Sequence, residues 1–288
     1  MNKRLKDRLS EFLPSQELSN IYNSFDIIGD IAILRIHKKS WKHRQIIAET
    51  IMSVHQNVQT VLAQTSPVEG DYRTRKLEFV AGEDKTITTH KEYGCLFSVD
   101  VEKTFFSPRL LYERMRVAQQ VKDGEVIVNM FAGVGCFSIV IARHSQVEKV
   151  YSLDINPTAV QFMRENVKLN KVFGEVIPLQ GDAKKVIQEK LCHIADRVLM
   201  PLPEKALEYL PYALLTLREG EGDIHYYGFE YGKKGEDAIR KAKLKVEGRL
   251  LGLDVDFDIP FGRVVRTTGP HWYQIALDFQ VKQSGNNF

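Results

Sequence analysis

Three strand-like stretches end on residues that could do chemistry. The apolar run VIVNM leads directly into Phe131-Ala132-Gly133-Val134-Gly135, and a helical pattern, CFSIVIARHS, follows. Glycines at a strand-to-helix turn tolerate positive φ and admit a ligand close to the backbone, although close packing also asks for glycine there. About 20 residues on, VYSLDIN presents Asp154, the spacing expected of a carboxylate that binds ribose hydroxyls. A third stretch, IPLQGDAKKV, ends at Asp182, where a carboxylate can meet an adenine amino group. Asp154 has a rival role as a helix cap, but Asn156 before Pro157 fills that cap better and leaves the carboxylate to a ligand. Two cofactors suit such a set of ends, a dinucleotide or S-adenosylmethionine. The dinucleotide fingerprint G-x-G-x-x-G is interrupted by Ser138, and no G-x-x-x-x-G-K-[ST] occurs. S-adenosylmethionine carries no phosphate and needs only close backbone approach and two carboxylates, so it is the favoured of the two.

A sheet must hold those ends in one crevice. From Arg109 onward apolar strand-like runs alternate with helical ones: PRLLYERMRVAQQV, GEVIVNMFAG, CFSIVIARHS, KVYSLDIN, PTAVQFMRENVKLNK and GEVIPLQGD, then ADRVLMPLP, EKALEYLPYALLTL, GDIHYYGF and GEDAIRKAKLKVEG. Strands alternating with helices predict parallel βαβ units in an open, doubly wound α/β sheet, with the ligand crevice at the strand ends. The front of the chain has another texture. Residues 1–20 predict a short amphipathic helix ending near Pro14, NSFDIIGDIAILRIHK a hairpin, and SWKHRQIIAETIMSVHQNVQTVLAQ a helix running into a strand. Several strands are expected in RTRKLEFVAGEDKTITTHKEYGCLFSVDVEK, so Arg73 and Arg75 would alternate along one of them. This gives an α+β domain over 1–100, a larger domain over 101–282, and a frayed tail over 283–288.

Composition sets outer bounds. The chain has 288 residues, 43% hydrophobic and 27% charged, with a formal charge of +3, which is ordinary globular balance rather than disorder. Cys95, Cys136 and Cys192 lie far apart without C-x-x-C spacing, arguing against a zinc site or a disulfide framework and for a reducing compartment. The start lacks a signal-peptide apolar region, and no run has the length of a membrane span. A soluble, cytoplasmic protein without metal is expected.

Six ordered stretches, GDYRTRKLEFVAGE, FFSPRLLYERMRVAQQV, NMFAGVGCFSI, SLDINPTAVQFMRENVKLNK, GDAKKV and RVLMPLPEKALEYLPYAL, resemble consecutive motifs of the archaeal and eukaryotic tRNA (guanine-N1)-methyltransferases that act at position 37. The resemblance spans roughly residues 65–280 and includes relatives in the wyosine pathway. It implies a class I methyltransferase, Rossmann-like sheet with a smaller, tRNA-contacting N-terminal domain, S-adenosylmethionine as methyl donor, tRNA with guanosine at position 37 as substrate, and a monomer. It also implies roles. Glu113 matches the family's general base, and Arg73 the arginine that stabilises charge developing on the base. Phe105, Arg114, Phe131, Gly133, Gly135, Asp154, Ile155 and Asp182 fall at cofactor contacts, while Arg75, Arg109, Pro201, Leu202 and Pro203 fall on the substrate side. Those residue types suit the reaction. Neutral guanine carries a proton on N1 that a carboxylate must remove, and the resulting charge spreads to O6, where an arginine can meet it.

Each assignment competes with a plainer one. Glu113 and Arg114, mid-helix, could pair with solvent or neighbouring charges. His225-Tyr226-Tyr227 could stack on a base or line the core. Two positions depart from the family pattern. Asn129 stands where Asp is usual, and Pro201 stands where Asn commonly helps to hold guanine, leaving the Pro201 and Met200 carbonyls as acceptors. The family's small extra front domain would not fit ahead of the matched region. The alternatives are therefore a bifunctional guanine-N1 and imidazopurine-C methyltransferase, an aminocarboxypropyl transferase of the same fold, or a non-catalytic tRNA-binding protein. Phe106-Ser107-Pro108-Arg109 resembles the methyltransferase version.

Overall fold

A computed structural model of the chain describes residues 5–282, so the expected tail over 283–288 lies outside the described residues. The fold divides into two compact units, Met1–Arg109 and Leu110–Phe288.

In the first unit, α1 (Leu5–Leu9) and α2 (Ser15–Leu18) replace the single helix expected near the start. Pro14 enters α2 in an extended conformation, so the chain turns before it instead of continuing one helix. β1 (Phe25–Ile28) and β2 (Ile31–Leu34) form the expected hairpin. α3 (Arg44–Val54) then leads to β3 (Thr60–Gln64), which pairs parallel with β2, and to β4 (Leu77–Gly82), antiparallel to β3. α3 buries Ile47, Ala48 and Ile51, an i, i+4 stripe, against Ala32 and Val61 of the sheet. β5 (Ile87–Glu92) and β6 (Cys95–Asp100) form a separate antiparallel pair.

The second unit opens with α4 (Leu111–Ala118) and continues with β7 (Val126–Asn129), α5 (Cys136–His144), β8 (Lys149–Asp154), α6 (Pro157–Leu169) and β9 (Val176–Gln180). It goes on through α7 (Ala183–Lys190), β10 (Arg197–Met200), α8 (Ala206–Thr216), β11 (Gly222–Tyr231), α9 (Ala238–Leu251), β12 (Asp256–Gly269) and β13 (Trp272–Lys282). One seven-stranded sheet has the order β12-β13-β11-β10-β7-β8-β9. All four residues of β7 and of β10 are buried, as strands covered on both faces require. The chain winds outward from β7 through β8 to β9, then crosses back to β10, so the order reverses between β7 and β10. Ligands of open α/β sheets bind at such a reversal, outside the carboxyl ends of the strands.

The sheet is not wholly parallel. β13 runs antiparallel to β11, and β12 antiparallel to β13. A connection of only two residues between β12 and β13 leaves no room for a crossover helix, so the last two strands must form a hairpin.

Candidate active site

At the reversal point, the glycine turn is fastened to the end of β8. Asp154 Oδ2 accepts the Gly133 N–H at 2.7 Å, Oδ1 accepts the Asn156 N–H at 2.9 Å, and the Ala132 N–H donates to the Leu153 carbonyl at 2.7 Å. Asn156 does cap α6, accepting from the Thr158 N–H at 3.0 Å beside Pro157 in the first turn. Asp154 is thus spared the capping of α6, although each of its oxygens already takes one backbone N–H. Each still has a second lone pair for a ribose hydroxyl. Burial pushes the Asp154 carboxyl above its ordinary range, against the two backbone hydrogen bonds. Gly135 enters α5 with φ +92°, and a Cβ there would sit 2.9 Å from Met163 Cγ. Its glycine is therefore required by helix packing as well as by backbone conformation. Ile155, just past the carboxylate, is 41% exposed.

Asp182 also has a structural duty that its position in sequence did not reveal. It caps α7, accepting from the Lys184 N–H at 2.8 Å, and lies 3.3 Å from the Tyr209 hydroxyl, which donates to it. The Phe131 ring meets Tyr209 edge to face at 5.3 Å. Phe131, Tyr209 and Asp182 thus form one contiguous wall, apolar at one end and anionic at the other. Beneath the turn, buried Asn129 donates to Ser138 Oγ at 3.0 Å, while its own Oδ1 is buried without a hydrogen bond among the described residues. The positive-φ glycines, an aromatic wall and two carboxylates with spare lone pairs fit an adenosine-bearing ligand that has no phosphate. Pro201 and Leu202 are half-buried and Pro203 is buried. The Leu202 carbonyl accepts from the Lys205 and Ala206 N–H groups and so serves the start of α8.

Glu113 and Arg114 of α4 are not solvent-paired surface charges, since they are 1% and 3% exposed. Glu113 Oε2 accepts from Arg116 Nε at 3.0 Å and from the Tyr227 hydroxyl at 3.1 Å. Oε1 is ion-paired with Arg263 Nη1 at 3.1 Å without hydrogen-bond alignment. The Arg116 guanidinium clamps both oxygens of Asp278, and it faces the Phe261 ring at 4.5 Å. Asp278 Oδ1 also meets His225 Nδ1 at 2.7 Å, and His225 Nε2 meets Arg197 Nη1 at 2.8 Å. Arginine can only donate, so Nε2 must accept and Nδ1 must carry the proton toward Asp278. His225 is therefore neutral, and its burial pushes its pKa below the ordinary histidine value. Although burial opposes it, His225 and Arg116 together hold Asp278 well below the usual carboxylate range. Arg197 continues the network to Glu125 at 2.7 Å and Asp223 at 3.0 Å. Burial, then the Glu113 charge, pushes the Tyr227 hydroxyl far above its ordinary value. His225, Tyr226 and Tyr227 lie within β11, buried to 1%, 7% and 1%, so they belong to the core and do not form a stacking surface for a base.

The remaining expected residues belong to the first unit. Arg73 and Arg75 do not alternate along a strand, because β4 begins only at Leu77. Arg73 closes a turn, donating its N–H to the Gly70 carbonyl at 3.0 Å with φ +52°, a conformation that costs a non-glycine residue about 1–3 kcal/mol. Its guanidinium lies 4.6 Å over the Phe105 ring, so these two expected site residues are brought together. Arg75 is half-buried, and burial lowers its pKa, with Asp26 opposing and Arg35 and Arg109 adding to the shift. Arg109 pairs with Asp26 at 2.7 Å.

Tyr209, Arg116, Arg263 and Asp278 were not among the expected site residues, and Tyr227 was expected only to stack on a base or line the core. Arg116 had a local signal, three residues after Glu113 on one helix face. Arg263 and Asp278 had none, being set by the terminal hairpin.

A mixed sheet with a glycine turn at its order reversal and acidic strand ends defines a Rossmann-like methyltransferase fold. Comparison with known proteins agrees: residues 88–249 match the TRM5/TYW2 methyltransferase domain, and residues 5–86 match the TYW2 N-terminal domain. The chain is 42% identical to the tRNA (guanine(37)-N(1))-methyltransferase Trm5b of Pyrococcus abyssi, over 95% of this chain and 77% of the relative. It is 39% identical to the tRNA 4-demethylwyosine(37)-methyltransferase Taw21 of Saccharolobus solfataricus, over 92% of this chain and 96% of that one. The crystal structure of Pyrococcus horikoshii TYW2 in complex with MeSAdo superposes with a TM-score of 0.77 at 28% identity, covering 97% of this chain and 98% of the other. This chain belongs to the TRM5/TYW2 methyltransferase family.

Proposed function

We propose that the chain methylates N1 of guanosine at position 37 of tRNA, next to the anticodon, using S-adenosylmethionine. The observation that carries this reading is the 42% identity to a guanine(37)-N1 enzyme across 95% of the chain. When bound, S-adenosylmethionine supplies an activated methyl group on a sulfonium, so the protein's own task is to bind, orient and remove a proton. Asp154 and Asp182 would hold the ribose and adenine of that donor, with Phe131 and Ile155 as apolar contacts and Gly133 and Gly135 allowing close approach. Arg114 and Phe105 are assigned to the cofactor side by resemblance. Glu113 would take the N1 proton. Arg73 would stabilise charge on the base, and Arg75, Arg109 and the Pro201-Leu202-Pro203 loop would contact the RNA.

A second reading has its own support. The N-terminal match is to a TYW2 domain, Taw21 aligns over 96% of its length, and Pro201 replaces a polar side chain at the loop assigned to guanine. On that reading the substrate at position 37 is 4-demethylwyosine and the product carries a new methyl on carbon. The experiment that decides is incubation with S-adenosylmethionine and either guanosine-37 or 4-demethylwyosine-37 tRNA, followed by nucleoside mass spectrometry. Methyl gain on the first supports the leading reading, and gain only on the second supports the alternative. Gain of an aminocarboxypropyl group overturns both, as does no gain on either. A monomer acting in the cytoplasm completes the proposal. The location is supported by Cys95, Cys136 and Cys192 being thiols, as a reducing compartment keeps them.

A further inference from the structure

The two oxygens of Glu113 are held very differently. Oε2 is locked by Arg116 and Tyr227, both of them at most a tenth exposed. Among the described residues Oε1 has only the unaligned ion pair with Arg263, a residue of the edge strand β12 whose side chain is 33% exposed. The Arg263 guanidinium already rests 4.5 Å over the ring of Tyr112, which is 57% exposed, so a second partner outside the buried network is in place. We propose that Arg263 is a detachable counter-ion of Glu113. It pairs with Oε1 while no base is bound and is displaced when the target base enters, and its departure frees Oε1 to take the proton.

This rests on the reading of Glu113 as general base, and it adds what turns that base on. A guanidinium beside a carboxylate favours its ionised form, so removing one neighbouring cation makes proton uptake easier. The groups facing Glu113 are Arg116 on its own helix, Tyr227 on β11, Arg263 on β12, and Asp278 on β13 through Arg116. In the whole network four carboxylates (Glu113, Glu125, Asp223 and Asp278) face three guanidinium groups (Arg116, Arg197 and Arg263) around a neutral His225. Loss of Arg263 leaves two uncompensated negative charges in a largely buried cluster, and protonation of Glu113 relieves one of them. In the step itself the N1 proton passes to Oε1. The electron pair it leaves on N1 forms the new bond to the methyl carbon as the carbon–sulfur bond of the donor breaks and its pair goes to sulfur.

The test uses two readouts on the full chain. In protein carrying carboxyl-13C glutamate and no tRNA, with the Glu113 signal assigned through Glu113→Gln, the NMR titration midpoint should rise by about one pH unit in Arg263→Ala. It should stay near the wild-type value in Arg263→Lys, which keeps a cation. In steady-state methylation of guanosine-37 tRNA, the acid limb of kcat/KM should move up in Arg263→Ala toward the limb of kcat, while the kcat limb stays where it is in wild type. An unshifted NMR midpoint in Arg263→Ala overturns the proposal, as does a fall in turnover at every pH with no movement of either limb. A shifted midpoint together with full turnover in Glu113→Gln would instead remove Glu113 as the base. That outcome ends the proposal through its premise while leaving the ion pair standing.

Discussion

Glu113 and Arg73 carry the proposed chemistry, and their surroundings say how each should respond to substitution. Glu113→Gln keeps the shape but cannot accept a proton, so kcat should fall by about 10²-fold or more while the affinity for S-adenosylhomocysteine, read by calorimetry, changes far less. Unchanged turnover would remove Glu113 as the base. Arg73 sits at φ +52°, so an alanine there mixes loss of the cation with backbone strain. Arg73→Gly adopts that φ without cost and isolates the guanidinium, and kcat or tRNA affinity should drop by about tenfold or more. At this scale the sequence was informative about Glu113, because YERMR follows FFSPR in an ordered motif. It misplaced Arg73 on a strand, since a turn closed by a left-handed arginine has no periodic signature. It also said nothing of Asp182 as a helix cap, because a strand-end aspartate looks the same whether it meets a ligand or its own helix.

Among the elements, the glycine turn with its two flanking helices and the network across β11 and β13 respond to different perturbations. Gly135→Ala would force a Cβ to 2.9 Å from Met163 in a left-handed backbone, and should cost about 2–4 kcal/mol, read as a lowered Tm, together with weaker cofactor binding. His225 is held neutral, with its pKa below the ordinary 6.5, so the unfolded chain gains a proton that the folded chain refuses as pH falls through that value. Asp278 is held below the ordinary 3.8, so its stabilisation is complete above that value and is lost as pH falls further. Both act in one direction. Tm should decline on acidification below about pH 6.5 and more steeply below about pH 4. Asp278→Asn should flatten the lower part and cost about 3–5 kcal/mol at neutral pH, because Arg116 and His225 lose a buried partner. A Tm unchanged between pH 7 and pH 5 would count against a neutral, buried His225. The alternating elements from α4 to α9 were legible because period, glycine and cap all agree there, as in Asn156-Pro157 before α6. The hairpin of β12 and β13 was not, since β12 mixes exposed and half-buried residues along its length without clean alternation.

At the scale of the whole molecule, a formal charge of +3 is too small to account for RNA binding by itself, so affinity must come from local cations meeting phosphates. tRNA binding should weaken by about tenfold or more between 50 and 200 mM salt, as measured by filter binding, and a salt-independent Kd would contradict a phosphate-tracking surface. The sequence by itself determined the alternation of strands and helices, the glycine turn, the acidic strand ends and the family motifs, because each is encoded within one or two neighbouring elements. Only the tertiary structure decided what surrounds Glu113. Tyr227 and Arg263 reach it from two strands more than a hundred residues away, and Arg116, on the same helix, is aimed by Asp278 of a third. Side chains on separate strands meet through pairing register: the two-residue turn sets β12 against β13, but the pairing of β13 with β11 is fixed by burial of the whole sheet and by no local pattern.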